Sequence, residues 1–132
     1  MKALFVVAAA ITLVLGVAWT LLPGPMLASL GVQPDEAAVY FGRRYGGLFF
    51  GYAVILWLGR AAGPGAARRA ILAGGATACT VMAILSLIGA LTGVVNAAMW
   101  SAVVIEVLLA AGFAYFYVTA DRSAAPESRA AL

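Results

Sequence analysis

Residues 70–105 read AILAGGATACTVMAILSLIGALTGVVNAAMWSAVVI, a run without one charged side chain. As a single helix it would reach ~54 Å, far beyond the ~30 Å hydrocarbon core of a bilayer. It must therefore turn back on itself, and Thr92, Gly93 and Asn96 are the residues that permit a turn. The reading that follows is a pair of membrane helices over residues 70–91 and 97–118.

Working outward from this pair, the rest of the chain has the same character. Of its 132 residues, 65% are hydrophobic and 10% charged, against roughly 45–50% and 25% in soluble domains. That excludes an ordinary soluble domain and a disordered chain. No collagen-like or solenoid period is present. Residues 3–22 form another uncharged stretch that can cross once. Lys2 ahead of it resembles the start of a signal peptide, but the stretch exceeds the usual 7–15-residue apolar region, so it reads as a retained span. Pro23, Gly24, Pro25, Gly31 and Pro34 then break the chain around Met26, Leu27 and Leu30, which suit a short interfacial helix. Pro34, Asp35 and Glu36 open a second span over residues 37–59, because proline fits a first turn and acids complement the helix dipole. A basic, turn-rich link with Arg60, Gly63, Pro64, Gly65, Arg68 and Arg69 separates it from the third span.

The expected fold is thus all-α, a four-transmembrane-helix bundle of the cell membrane. One domain covers residues 1–120, with spans at 3–22, 37–59, 70–91 and 97–118. Residues 121–132, with Asp121, Arg122, Pro126, Glu127 and Arg129, form an exposed, poorly ordered tail. Four crossings place Lys2, Arg60, Arg68, Arg69, Arg122 and Arg129 on one side, so both termini are expected in the cytoplasm. Trp19, Tyr40, Tyr45 and Trp100 then map near the outer interface, and Trp57, Tyr115 and Tyr117 near the inner one.

The net charge of +3 lies in short connectors. Membrane lipids are therefore the expected anionic partners, and nucleic acid is not. Histidine is absent and Cys79 is the single cysteine, so one chain can form neither a disulfide nor a His/Cys metal shell. Cys79 reads as a small buried thiol. No phosphate loop, no Gly-x-Ser-x-Gly elbow, no histidine base and no intramembrane carboxylate pair is present, so neither an enzyme nor a cofactor is expected. Thr77, Thr80, Ser86 and Ser101 read as hydrogen-bonding groups between helices.

Two charges are misplaced. Arg43 and Arg44 lie inside the second span, Arg43 ~9 Å below its outer boundary. Glu106 lies ~14 Å into the fourth span, where an acid costs roughly 2.5–3.5 kcal/mol on insertion scales. With depths only ~5 Å apart, the expectation is a contact between Glu106 and Arg43 or Arg44, in a polar site that includes Tyr45. The arginines alternatively snorkel to lipid phosphates. Arg43, Gly47 and Gly51 recur at intervals of four, so this face of the second span is expected to be buried, with Gly42 and Gly46 as a second Gly-x-x-x-Gly pair beside it.

The run Arg43-Arg44-Tyr45-Gly46-Gly47-Leu48-Phe49-Phe50-Gly51, with Glu106 far downstream, resembles a bacterial family of small four-helix membrane proteins of unknown function. In that family an Arg, a Tyr-Gly-Gly-Leu run and a later Gly open the second span, and a membrane-embedded Glu marks the fourth. Its third span ends with Gly-Arg and an acidic loop, whereas residues 87–93 here carry no charge. The resemblance implies a fold and a set of positions, and no reaction.

Three functions fit these residues. One is a structural or accessory module, as a homo-oligomer or a subunit of a larger membrane complex, in which Glu106 and the arginines hold the helices together. Another is an oligomeric proton- or ion-coupled transporter or channel built around Glu106. The third is an outer-leaflet binder of an anionic lipid or lipophilic molecule.

Overall fold

A computed structural model describes residues 1–122, so residues 123–132 of the expected tail lie outside the described residues. The chain forms five helices, α1 (Lys2–Leu21), α2 (Pro23–Ser29), α3 (Glu36–Gly59), α4 (Ala66–Thr92) and α5 (Met99–Arg122). α1 stops because proline disfavours helical geometry in the residue before it, and Leu22 turns out to φ −127°. Pro23 then opens α2, the short helix expected around Met26 and Leu27. Gly31 at φ +78° reverses the chain, a conformation open to a residue without Cβ. The Asp35 carboxylate accepts a 2.7 Å hydrogen bond from the Ala38 amide and caps α3. At the far end of α3, Arg60 lies 3.5 Å from the centroid of the Trp57 ring and donates to the Trp57 carbonyl.

α4 begins at Ala66, earlier than the expected residue 70, and carries Arg68 and Arg69 in its first turns. The breaker is Gly63-Pro64-Gly65, and a helix need not stop where lipid does. Arg68 reaches back to the Ala62 carbonyl across that link. Gly93, at φ +73°, ends α4 as a left-handed cap, at the turn expected from residues 92–96.

α1 packs along α3 and α4 along α5, giving two helical hairpins that meet each other much less extensively. They join tightly at the end carrying Lys2, Arg60, Arg68 and Arg69. Phe5, Leu56, Leu72 and Phe113 are sealed there, each at most 1% exposed. Phe5 and Phe113 meet edge to face at 6.2 Å. At the opposite end, Asn96 ties the α4–α5 turn to α2: its side chain donates to the Ser29 carbonyl and its amide to the Leu30 carbonyl, both at 2.9 Å.

The outer surface is oily. Val14, Leu48, Leu58 and Leu108 are among many large apolar side chains left exposed, an area far beyond what a soluble monomer tolerates. α1, α4 and α5 are each long and apolar enough to cross a membrane. Together these features define a multi-pass helical membrane protein. α3, at ~36 Å, has the length, but Arg43 and Arg44 dilute its apolar character.

Glycines set the α1–α3 contact. Gly16 and Gly46 face each other so closely that a Cβ at Gly46 would run into Thr20 Oγ1 and lie 2.7 Å from the Thr20 nitrogen and 3.0 Å from the Gly16 oxygen. One turn away, a Cβ at Gly42 would sit 3.1 Å from Pro23 and 3.2 Å from the Trp19 ring. Gly47 and Gly51 have open space beside them, and Arg43 is exposed. The buried small-residue face is therefore Gly42/Gly46. The expected burial of Arg43, Gly47 and Gly51 is corrected, because the two frames lie about 100° apart on the helix and only one can meet α1. Gly46→Ala is expected to destabilise the protein by about 1–3 kcal/mol through overpacking against backbone, while Gly47→Ala leaves its melting temperature in detergent unchanged. Equal melting of the two variants would contradict this packing.

Candidate functional site

The face of α3 turned toward the second hairpin carries Tyr45 and Tyr52, seven residues apart and so two turns apart on one stripe. Cys79, Met82 and Ser86 occupy the facing stripe of α4, and Glu106 and Phe113 that of α5. Because the hairpins meet sparingly between their tied ends, these stripes do not close. They border two adjoining cavities of about 200 Å³ and 450 Å³, with Tyr45, Met82 and Glu106 in the wall of both. The smaller cavity ends on Tyr52, Cys79 and Phe113, above the sealed aromatic core. The larger one reaches Trp19, Met26 and Met99 beneath the Asn96 tie. Leu48, which lines the smaller cavity, is 73% exposed, so the chamber opens sideways to the apolar surface between the hairpins.

Few polar groups enter this chamber. The Tyr45 ring is held edge to face by Trp19 at 5.6 Å and Phe49 at 4.7 Å. Its hydroxyl donates weakly to Met82 Sδ at 3.7 Å. Ser86, 7% exposed, shares the larger cavity with Glu106. Oε2 of Glu106 is buried without a hydrogen-bond partner, as is the Tyr52 hydroxyl. A buried carboxyl oxygen left unpaired is unfavourable, and native interiors contain few such groups. Among the described residues, no three of His, Cys, Asp and Glu stand close enough to hold a metal ion.

Of the residues singled out in the sequence, Glu106 and Tyr45 are thus brought together, and Arg43 and Arg44 are not. Both arginines are exposed. Arg44 lies over the Tyr40 ring at 5.9 Å from its centroid, and Arg43 makes no polar or ring contact among the described residues. The expected Glu106–arginine contact is absent for a geometric reason. Residues i and i+2 project about 200° apart on a helix, so a Tyr45 turned toward Glu106 puts Arg43 on the opposite side. Tyr52 and Met82 belong to the chamber and were not singled out. Their signal was available in the seven-residue interval from Tyr45 to Tyr52 and the four-residue interval from Met82 to Ser86. Ser86, read as a hydrogen-bonding group between helices, and Cys79, read as a small buried thiol, line the same walls.

No family model matches the chain, and no curated protein or solved structure matches it. The class rests on the fold and the chamber: a multi-pass helical membrane protein with a carboxyl group in a laterally open, mostly apolar cavity.

An unpaired buried carboxyl lowers stability, so Glu106→Leu is expected to stabilise the ligand-free protein in detergent by about 1–3 kcal/mol. Arg43→Gln, at an exposed position without partners, should stay within ~0.5 kcal/mol of the parent. An Arg43→Gln loss as large as that of a broken buried ion pair, about 3–5 kcal/mol, would contradict the outward placement of Arg43.

Proposed function

We propose that this chain is a four-span protein of the cell membrane, with both termini in the cytoplasm, and that it works without catalysis as an accessory module holding a lipophilic molecule between its hairpins. The observation that carries this reading is the half-buried Glu106, with Oε2 buried and unpaired, beside a cavity that opens to the apolar flank of the helices and contains no basic side chain of the described chain. A purely structural carboxyl gains from partners for both oxygens, and here only the Ser86 hydroxyl of α4 approaches the carboxyl while Oε2 is left unpaired. A pocket of a few hundred Å³ with apolar walls and a few convergent polar groups is the usual form of a small-molecule site.

The fourth crossing is supported by the packing of α3. Its contacts with α1 run from Gly42 against Trp19 to Gly59 against Phe5, close to the full length of both helices. If α1 crosses the bilayer, α3 crosses beside it in the opposite direction. Arg43 and Arg44 then sit in the outer half with side chains long enough to reach lipid phosphates. Lys2, Arg60, Arg68 and Arg69 gather at the opposite end, which supports a cytoplasmic location for that end. The likeness to small bacterial four-helix membrane proteins, carried by the Tyr45-Gly46-Gly47-Leu48 run and Glu106, is part of this proposal.

Transport is the second reading, favoured by the same intramembrane carboxyl. The sealed layer of Phe5, Leu56, Leu72 and Phe113 blocks the cytoplasmic side of the chamber, so a through-path would need those four side chains to part. Accessory binding needs no such movement.

Single cysteines test the topology in a Cys79→Ala background. With a membrane-impermeant maleimide applied to intact cells, Gln33→Cys and Val94→Cys should be labelled and Gly63→Cys should react only after lysis. Labelling of Gly63→Cys from outside would remove the four-span reading. For the chamber, native mass spectrometry of the purified protein should find a lipophilic adduct that is lost on filling the cavity with Ala102→Phe. An adduct-free protein whose mass spectrum is unchanged by that substitution would remove the binding reading.

A further inference from the structure

We infer that the Glu106 chamber selects a lipophilic amine, an ammonium group on an apolar body, over neutral or anionic molecules of the same shape. This rests on the binding reading above and names the chemistry of the ligand.

Three observations converge on a cation. The first is the carboxyl itself, whose Oε2 is buried at the cavity wall with no hydrogen-bond partner. A ligand without a donor leaves that oxygen's acceptor capacity unfilled, a neutral donor fills it without pairing charge, and only an ammonium both donates to the carboxylate and neutralises it. Second, the protein supplies no countercharge. No Lys or Arg lines either cavity. Arg43 and Arg44 are exposed on other faces of α3, while Arg60, Arg68 and Arg69 are engaged with Trp57, Ala62 and Tyr117 at the sealed end. A positive group that pairs with this carboxylate would therefore come from outside the described chain.

The third observation is the wall. Trp19, Tyr45 and Phe49 line the same cavity as Glu106, and aromatic rings attract ammonium groups, more so where water is excluded. An ammonium has three donors, and the chamber has three acceptors for them: the Glu106 carboxyl, the Tyr45 oxygen, whose own hydrogen points to Met82 Sδ, and the Ser86 hydroxyl. Inorganic cations are poorly served, since calcium or magnesium needs six or more oxygens and this chamber offers few. The remaining surface is aliphatic and thioether, with Met26, Met82 and Met99 able to reshape around an apolar body. Lateral opening past Leu48 admits a molecule already dissolved in the bilayer.

Trp19 provides the readout, because it stands in the cavity wall against Tyr45. The full chain carrying Trp57→Phe and Trp100→Phe, placed in nanodiscs of zwitterionic lipid, is titrated with ω-bromodecylamine, ω-bromodecanol and ω-bromodecanoate. Each probe is expressed as its membrane-bound concentration, and bromine contact quenches the Trp19 emission. A second chain retaining only Trp100, which is exposed, reports contact with free probe in the bilayer.

The expected result is saturable quenching of Trp19 by the amine at about tenfold lower concentration than by the alcohol, with the carboxylate weakest. Glu106→Gln should bring the amine to the alcohol's level, and Glu106→Asp should keep part of the preference. Equal saturation by amine and alcohol in the unaltered site would overturn the amine inference while leaving the chamber a binding site, and this comparison does not depend on any Glu106 variant folding. Survival of the amine preference in a folded Glu106→Gln protein would also overturn it. Quenching of Trp19 that is unsaturable and no stronger than that of Trp100, for all three probes, would remove the binding reading itself.

Discussion

The rotation of α3 about its own axis, set by the contact of Gly46 with Gly16 and Thr20, is the constraint on which the rest of this structure depends. A neighbour that close leaves no room for any side chain at Gly46 and so locks one face of α3 against α1. At 100° per residue, everything else on the helix follows. Tyr45 is swung to the side of the second hairpin. Arg43 and Gly47 are swung to the opposite side, where open space adjoins Gly47. The chemistry inside the protein and the charge on its flank are thus separated by one backbone contact.

The second consequence is a chamber. Each hairpin is well packed internally, by Gly46 on Gly16 in one and by Gly75 under the Phe113 ring in the other. Between hairpins, the aromatic seal around Phe5 and Phe113 closes one end and two hydrogen bonds from Asn96 tie the other. Two units joined mainly near their ends, with the weak Tyr45–Met82 contact between, need not close along their middle, and in lipid no hydrophobic force drives them together, since acyl chains are as apolar as leucine. Glu106 lies on that middle section. Its unpaired oxygen is therefore a result of where the hairpins separate, and the same separation leaves room for a ligand to pair with it.

Much of the fold was legible beforehand. The uncharged stretch at residues 70–105 exceeds one bilayer thickness, so a hairpin was forced, and Gly93 supplied the left-handed cap at its tip. The short helix at Met26 and Leu27 and the Asp35 cap of α3 followed from proline placement and side-chain chemistry. Glu106 and Tyr45 were recognised as one polar site. The Arg43 and Arg44 contact with Glu106 was reasoned from depth alone. Depth along a helix is a one-dimensional quantity, and two residues at matching depth can face opposite ways.

What the amino-acid sequence determined by itself was the all-helical class, the placement of the long helices, the turns between them and the charges among them, because transfer of apolar side chains out of water and local backbone chemistry act over a few residues. Which face of α3 meets α1 was decided only by tertiary structure. Gly42/Gly46 and Gly47/Gly51 carry the same local signal. The choice between them depends on surface relief supplied from a distant part of the chain, by Gly16, Trp19, Thr20 and Pro23. That choice turned a supposed arginine–glutamate clasp into an outward arginine and an open acidic chamber.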